Sequence, residues 1–224
     1  MKKTFLSLAA ASAIMMLFAV SACKKSSTSP TNANVIVVHA SPDAPAVDIY
    51  VNGTKAATGL AYLSNTGYVA VASGATNIKV DPTGTTTPVI NANVTLAANA
   101  NYSVFAIDSV SDIQPLVLVD TLTTPSGASV RFVHLSPDAP AVDVVDSASG
   151  AMLVNNVSFK GYTSFTALPA GTYTLNVQPH GSGITALSVP GVTVSAGHIY
   201  TIIARGFLGG TGSQAIGASI IVNK

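Results

Sequence analysis

A histidine, a serine and an aspartate stand at alternate positions in HASPDAPAVD, which begins at His39, and again in HLSPDAPAVD, which begins at His134. These three residue types make up the triad of many hydrolases. Residues two apart on a strand have Cα atoms about 6.6 Å apart, whereas a triad needs direct hydrogen bonds between its members. The spacing therefore argues against a triad, and we predict that the protein is not an enzyme.

Metal binding is the second chemistry that these residue types allow. Each copy offers one histidine and two aspartates as ligand or structural-turn residues: His39, Asp43 and Asp48 in the first, and His134, Asp138 and Asp143 in the second. Calcium takes about six to eight oxygen ligands, more than two carboxylates supply. Other metals prefer denser clusters of His and Cys. We therefore predict no bound metal and no cofactor.

The repeated stretch has the composition of a structural corner between two strands. Pro42 fixes φ near about −65° where the chain leaves its first strand, and Pro45 pushes the preceding residue into extended geometry. Asp43 is expected to accept backbone N–H bonds within the turn. The apolar neighbours of Asp48 should face the core, and Asp48 should bond to a neighbouring turn. The second copy repeats this pattern.

Composition favours an all-β fold. All nine acidic residues are Asp, and the chain is filled with Val, Thr, Ser, Asn, Ala and Gly, which suit strands and turns better than charge-laced helices. Four of the ten basic residues lie in the first 25 positions, so the rest of the chain has a net charge near −3. No basic stripe remains to bind phosphates, and nucleic acid is not an expected partner.

The N-terminus has the pattern of an export signal. Residues 1–22 combine a basic start, an apolar run and small residues, as a secretory signal peptide does. The stretch VSAC resembles the bacterial lipobox, and it ends at Cys23, the only cysteine. The resemblance implies lipidation of Cys23 and a membrane anchor. Because Lys24 replaces the Asp that marks inner-membrane retention, we expect the outer membrane, on its periplasmic or external face. Residues 23–33 form a polar tether.

The two copies correspond beyond the HxSPDAPAVD stretches, which lie 95 residues apart. Gly67-Tyr68 matches Gly161-Tyr162, and NYSVFA near the end of the first copy matches IYTIIA in the second. Each copy shows seven or eight short strands between turn signals, including a hairpin at Asn52-Gly53. The Gly-rich stretch 206–217 reads as a long hairpin loop.

These patterns predict two tandem β-sandwich domains, at residues 34–121 and 130–224, joined by a linker at 122–129. The number and size of the strands suit an immunoglobulin-like sandwich, a prealbumin-like sandwich or a small barrel, and all three alternatives stay open. Each copy is predicted to fold independently. Because the last strand of the first copy runs straight into the linker, the domains are also expected to lie close together.

Two copies of a domain that contains SPDAPAVD and a hairpin, behind a lipobox, resemble a bacterial family known as domain of unknown function 4397. Its members are secreted or lipid-anchored proteins, often of Bacteroidetes type. The resemblance covers Asn34 to about Val222, and it implies a surface β domain without a known activity or catalytic residues.

Two functions follow from these expectations. The first is a non-enzymatic outer-membrane or cell-surface lipoprotein that serves in binding, adhesion or envelope structure, with a glycan or an envelope protein as candidate partner. The alternative is a lipoprotein that captures or processes carbohydrate at a site between the two domains. A concave cleft that is lined by Asp and Tyr and shared by both copies would favour the alternative.

Overall fold

The computed structural model describes residues 32–224, and eight strands form in each copy. The strands of the first copy are β1 (Asn32–His39), β2 (Val47–Val51), β3 (Thr54–Leu60), β4 (Asn65–Ala72), β5 (Gly74–Pro82), β6 (Ile90–Leu96), β7 (Asn101–Ile107) and β8 (Gln114–Asp120). Those of the second are β9 (Ala128–His134), β10 (Val142–Asp146), β11 (Met152–Val157), β12 (Thr166–Leu168), β13 (Gly171–Pro179), β14 (Leu187–Val194), β15 (Ile199–Arg205) and β16 (Gly217–Val222).

Each copy is a sandwich of two four-stranded sheets. The sheet orders are β4-β1-β7-β8 and β3-β2-β5-β6 in the first copy, and β12-β9-β15-β16 and β11-β10-β13-β14 in the second. The all-β sandwich fold is thus confirmed. In an immunoglobulin domain the first two strands are neighbours, whereas here β1 lies between β4 and β7, parallel to β7. The sheets do not close into a barrel, so the prealbumin-like alternative is the one that remains.

Local turn chemistry explains two of the connections. Asn52 and Gly53 both have positive φ, at 48° and 77°, as the predicted two-residue hairpin requires. The predicted hairpin loop joins β15 to β16 and contains a single 3-10 turn, Gly212–Gln214. No helix among residues 32–224 is long and apolar enough to cross a membrane.

The inner sheets are buried on both faces. In β1, Val35 and Val37 face the core of the first sandwich, whereas Ile36 and Val38 face the opposite way, into a further core. This further core also contains Val133 from the second copy, and the two sandwiches therefore pack face to face through their inner sheets. We call it the shared core. Its buried members are Ile36, Val38, Ala40, Phe105, Ile107, Leu118, Val133, Leu135, Ile203 and Ile221.

The shared core bears on two expectations from the sequence, that the domains lie close together and that each copy folds independently. The domains do lie close together, because both contribute side chains to one buried cluster. Independent folding is at odds with the same cluster, since separating the copies would expose it to water.

One sequence match between the copies is wrong. The hydroxyl of Thr66 accepts a bond from Val37 N, and that of Thr163 accepts the equivalent bond from Phe132 N, each at 3.0 Å. Thr66 therefore corresponds to Thr163, so that the structural counterpart of Gly67-Tyr68 is the pair that follows Thr163, Ser164-Phe165. The offset between the copies grows from 95 at the two histidines to 97 at Leu60 and Val157, because the hairpin of β10 and β11 is two residues longer than that of β2 and β3. These two residues shift the look-alike Gly-Tyr pair out of register.

Candidate functional site

The histidine of each repeated stretch ties its own corner together. His39 Nε2 lies 2.9 Å from the carbonyl oxygen of Pro45, and His134 Nε2 lies 3.0 Å from that of Pro140. A carbonyl only accepts, so each Nε2 carries the proton and donates it. Both side chains are fully buried, and burial lowers the pKa of each imidazole. Each ring is thereby held neutral.

The serine of the stretch does not form a nucleophile with this histidine. Ser136 Oγ donates to the carbonyl oxygen of Gly206 at 2.6 Å, while His134 Nδ1 accepts from the backbone N–H of Ser136 at 3.3 Å. Ser41 and Ser136 are both fully buried. Neither hydroxyl is placed to attack a substrate from solvent.

The first aspartate of the stretch reaches a distant loop. Asp43 Oδ1 accepts from Val110 N at 2.8 Å, and Asp138 Oδ1 accepts from Leu208 N at 3.0 Å. Val110 and Leu208 lie in the loops that follow β7 and β15. The expectation of bonds within the turn is therefore corrected: these aspartates join each corner to a loop about 70 residues further along the chain.

The second aspartate binds the neighbouring strand at a β-bulge. The register of β2 against β3 shifts next to Asp48, and that of β10 against β11 shifts next to Asp143. Gly59 and Asn156, on the partner strands, have positive φ, and their backbone N–H groups donate to Asp48 and Asp143 at 2.9 and 2.8 Å. An N–H displaced from the ladder needs another acceptor, and the carboxylate supplies it.

The remaining partners of these two carboxylates differ between the copies. Asp48 also accepts from Lys55 Nζ at 2.7 Å, and the Lys55 ammonium is the main reason that its pKa is lowered. Asp143 also accepts from His180 Nδ1 at 2.9 Å. The backbone N–H of Asn156, followed by His180, lowers the pKa of Asp143 to about 2. Both groups therefore stay ionised at neutral pH.

These positions do not combine into a cluster of metal ligands. Within residues 32–224, no group of three or more His, Cys, Asp or Glu side chains is placed to hold a metal ion. The candidate lipidation residue, Cys23, lies outside the described residues.

A buried ion pair joins the two copies, and the sequence analysis did not single it out. Arg131 Nη1 lies 2.8 Å from Asp120 Oδ1, with the two side chains 2% and 0% exposed. Arg131 Nη2 also donates to Ser103 and Thr201, one in each copy, at 3.2 and 3.0 Å. The sequence did contain a signal, the single charge of Arg131 in the apolar strand SVRFVH. An unpaired charge buried in such a strand would be very costly, so the arginine indicates a buried partner.

The ion pair belongs to a larger polar network within the interface. Asp120 Oδ2 accepts from Ser103 and from the hydroxyl of Tyr68 at 2.7 and 2.6 Å. Asn223, in the second copy, donates to the Tyr68 oxygen at 3.0 Å and accepts from Thr201 at 2.7 Å. Burial raises the pKa of Tyr68, so its hydroxyl keeps the proton that it donates.

A cleft of about 290 Å³ lies at the junction of the two copies. The ring of Tyr162 is exposed there, and the ring of Phe165 lies 4.5 Å from the Arg131 guanidinium. The cleft is shared by both copies and contains a Tyr, but no Asp lines it. Its lining residues are Val117, Val119 and Thr121 from the first copy, and Arg131, Tyr162, Thr163, Ser164 and Phe165 from the second.

Comparison with known proteins finds similar solved structures and one family. A carbohydrate-binding module of family CBM26 from Eubacterium rectale Amy13K, solved in complex with maltoheptaose, aligns at 10% identity over 85% of this chain and 96% of its own, with a TM-score of 0.24. No curated protein matches the chain. The family model described as Domain of unknown function (DUF4397) matches twice, at residues 33–145 and 128–223. The chain therefore belongs to the DUF4397 family, with two tandem copies of its domain.

Proposed function

We propose that this chain is a lipid-anchored envelope protein whose two sandwiches act as one non-enzymatic binding module. The observation that carries the proposal is the way in which the repeated residues use their polar atoms. His39, Asp43 and Asp48 bond to backbone groups of their own sandwich, as do their counterparts in the second copy. Their retention in both copies is thereby explained by architecture, without substrate chemistry.

The shared core and the buried ion pair support the notion of a single module. Two domains that exchange only surface contacts would move relative to each other, whereas a buried apolar interface that contains an ion pair and its hydrogen-bonded neighbours holds one arrangement. A rigid block on a polar tether suits binding or adhesion at a membrane.

The anchor is tested by replacing Cys23 with Ala. We expect the wild type to incorporate labelled palmitate and to fractionate with the outer membrane, and the variant to do neither. Protease treatment of intact cells then distinguishes the external from the periplasmic face. Membrane fractionation of the Cys23→Ala variant that matches the wild type would contradict the proposed anchor.

Carbohydrate capture is the second candidate function, and the cleft is the observation that favours it. The exposed Tyr162 ring offers a flat apolar surface, on which the face of a pyranose can stack. The hydroxyls of Thr121, Thr163 and Ser164 line the same cleft and offer hydrogen bonds to sugar hydroxyls. An aromatic platform beside a few polar groups is the usual composition of a ligand cleft.

A glycan array probed with residues 31–224 tests this candidate. We expect binding that Tyr162→Ala abolishes and that Tyr50→Ala preserves, because Tyr50 lies in the outer sheet of the first sandwich, under the Lys79 ammonium. An array without binding, or equal loss in both variants, would rule out the cleft as a sugar site.

A further inference from the structure

The two SPDAP corners lie at the same end of the molecule. Ala40 and Leu135, which follow the two histidines, both belong to the shared core. Tyr62 of the first copy lies against Arg205 and Gly206 of the second. We call this the corner end, and it consists of the corners 40–46 and 135–141 with the loops 61–64, 108–113, 158–161, 180–186 and 206–216.

The opposite end carries the chain termini of the described structure. β1 begins at Asn32 and runs towards the corner end, as β9 does in the second copy. Lys224 Nζ donates to the carbonyl oxygen of Leu122, in the segment between the copies, at 2.9 Å. The residues that precede Asn32 therefore join the end that lies farthest from the corners. An anchor at Cys23 would direct the corner end away from the membrane.

The corner aspartates hold two loops that present apolar side chains to solvent. Val110, whose N–H bonds to Asp43, is 39% exposed, and Leu208, whose N–H bonds to Asp138, is 53% exposed. Ile184, in the loop after β13, is 71% exposed. Scattered exposed apolar residues are common, but here the same bond fixes an apolar loop residue at the equivalent place in each copy.

The charge at the corner end is predominantly negative. Four of the nine aspartates lie in its loops: Asp43, Asp108, Asp112 and Asp138. The cations nearby are Lys160 and Arg205, and Arg205 donates to the carbonyl oxygens of Ser213 and Ala215 within its own copy. Exposed apolar side chains on a negatively charged end complement a surface that combines basic and apolar residues, whereas an anionic bilayer would be repelled.

We propose that the corner end is a docking surface for a protein partner that presents lysine or arginine around an apolar patch. This inference deepens the proposed binding function and rests on it. It assigns SPDAPAVD a role in positioning, because each corner aspartate holds the loop that carries an apolar contact residue.

An isotope-labelled chain from Lys24 to Lys224, titrated with a synthetic lysine–leucine amphipathic peptide, tests the proposal. We expect NMR shift changes in the loops 108–113 and 206–216, weakening of binding by added salt, and no changes with the glutamate–leucine version of the peptide. The double variant Val110→Ser/Leu208→Ser should bind at least about fivefold more weakly. Val222→Ser, an exposed position at the opposite end, should bind as the wild type does.

Shift changes located elsewhere, equal binding of both peptides, or binding to anionic phosphatidylglycerol vesicles in place of the basic peptide would overturn the proposal. The outcome is separable from that of the anchor experiment. Loss of anchoring with intact peptide binding contradicts the proposed lipoprotein alone, whereas intact anchoring without peptide binding contradicts the docking surface alone.

Discussion

The two sandwiches share one strand order but differ in the edge strand of the inner sheet, which is long in the first copy and short in the second. β4 pairs with β1 from Asn32 to Val38, whereas β12 pairs with β9 only from Ala128 to Val130. Beyond these three pairs the second copy continues as an irregular segment, Tyr162–Phe165, with one isolated bridge at Tyr162. This segment borders the cleft on one side and an apolar cavity of about 70 Å³ in the second sandwich on the other.

The edge strand and the strand beside it also carry different residues at the interface between the two copies. Tyr68 lies opposite Ile36 in the first copy, and its hydroxyl enters the polar network. At the equivalent places in the second copy stand Phe165 and Arg131, with the ring against the guanidinium. Duplication therefore provided one architecture twice. The cleft accompanies the divergence of the β4 and β12 edges, whereas the ion pair arises from Arg131 in place of Ile36 and Asp120 in place of Asn223.

Isolation of one copy should have the largest effect on this arrangement. We expect residues 128–224 alone to aggregate or to give poorly dispersed amide NMR spectra, because Val133, Leu135 and Ile203 would lose their partners in the shared core. The same spectra recorded on the chain from Lys24 to Lys224 provide the control. A soluble fragment with well-dispersed signals would contradict this and restore independent folding.

Breaking the ion pair should have the next largest effect. Asp120→Ala leaves the Arg131 guanidinium buried without its carboxylate, and we expect the free energy of unfolding to fall by about 3–5 kcal/mol in urea denaturation. The double variant Asp120→Asn/Arg131→Ile should lose less. This variant places at positions 120 and 131 the uncharged residue types that the other copy has at the equivalent positions, Asn223 and Ile36. If Asp120→Ala lowered the free energy of unfolding by less than about 1 kcal/mol, the ion pair would not be a stabilising part of the interface.

The two buried histidines should make both sandwiches sensitive to mild acid. The unfolded chain takes up protons as the pH falls through about 6.5, while burial keeps the folded pKa of His39 and His134 below that value. The free energy of unfolding should therefore fall as the pH drops below about 6.5. In His39→Gln/His134→Gln, each glutamine keeps an N–H donor without titrating, so calorimetry should show a flatter Tm profile between about pH 7 and 5. An equal slope of Tm against pH in the wild type and the double variant would contradict this account.

The aspartates at the two bulges should respond unequally to the loss of their cationic partners. Lys55 is the main cause of the lowered pKa of Asp48, whereas the Asn156 N–H is the main cause for Asp143. We therefore expect Lys55→Ala to raise the pKa of Asp48 more than His180→Ala raises that of Asp143, as measured by carboxyl NMR titration. The stability that Asp143 contributes should vanish as the pH falls from about 4 to 2. The reverse order of pKa changes would count against the bulge assignment.

Metal removal should have no effect on either copy. We expect EDTA to leave the Tm unchanged, because Asp43, Asp48 and their counterparts already accept backbone N–H bonds and each buried histidine donates to a carbonyl oxygen. A Tm that falls on chelation and recovers with calcium would instead make these residues ligands.

Local chemistry made much of the fold predictable. The alternation of apolar and polar residues, together with the turn residues, located most of the strands. Asn52-Gly53 identified its hairpin, because a two-residue turn with positive φ depends on neighbouring residues alone. The corner prolines and the core positions of Val47 and Ile49 were likewise readable.

What the sequence by itself determined, then, was the all-β class and the presence of two tandem copies. Only the tertiary structure decided which distant groups meet. Asp43 finds Val110, and Arg131 finds Asp120 in the other copy, because packing of sheets brings together residues that no local periodicity relates. The cleft has the same origin, since its two walls come from different copies and face each other only through the shared core.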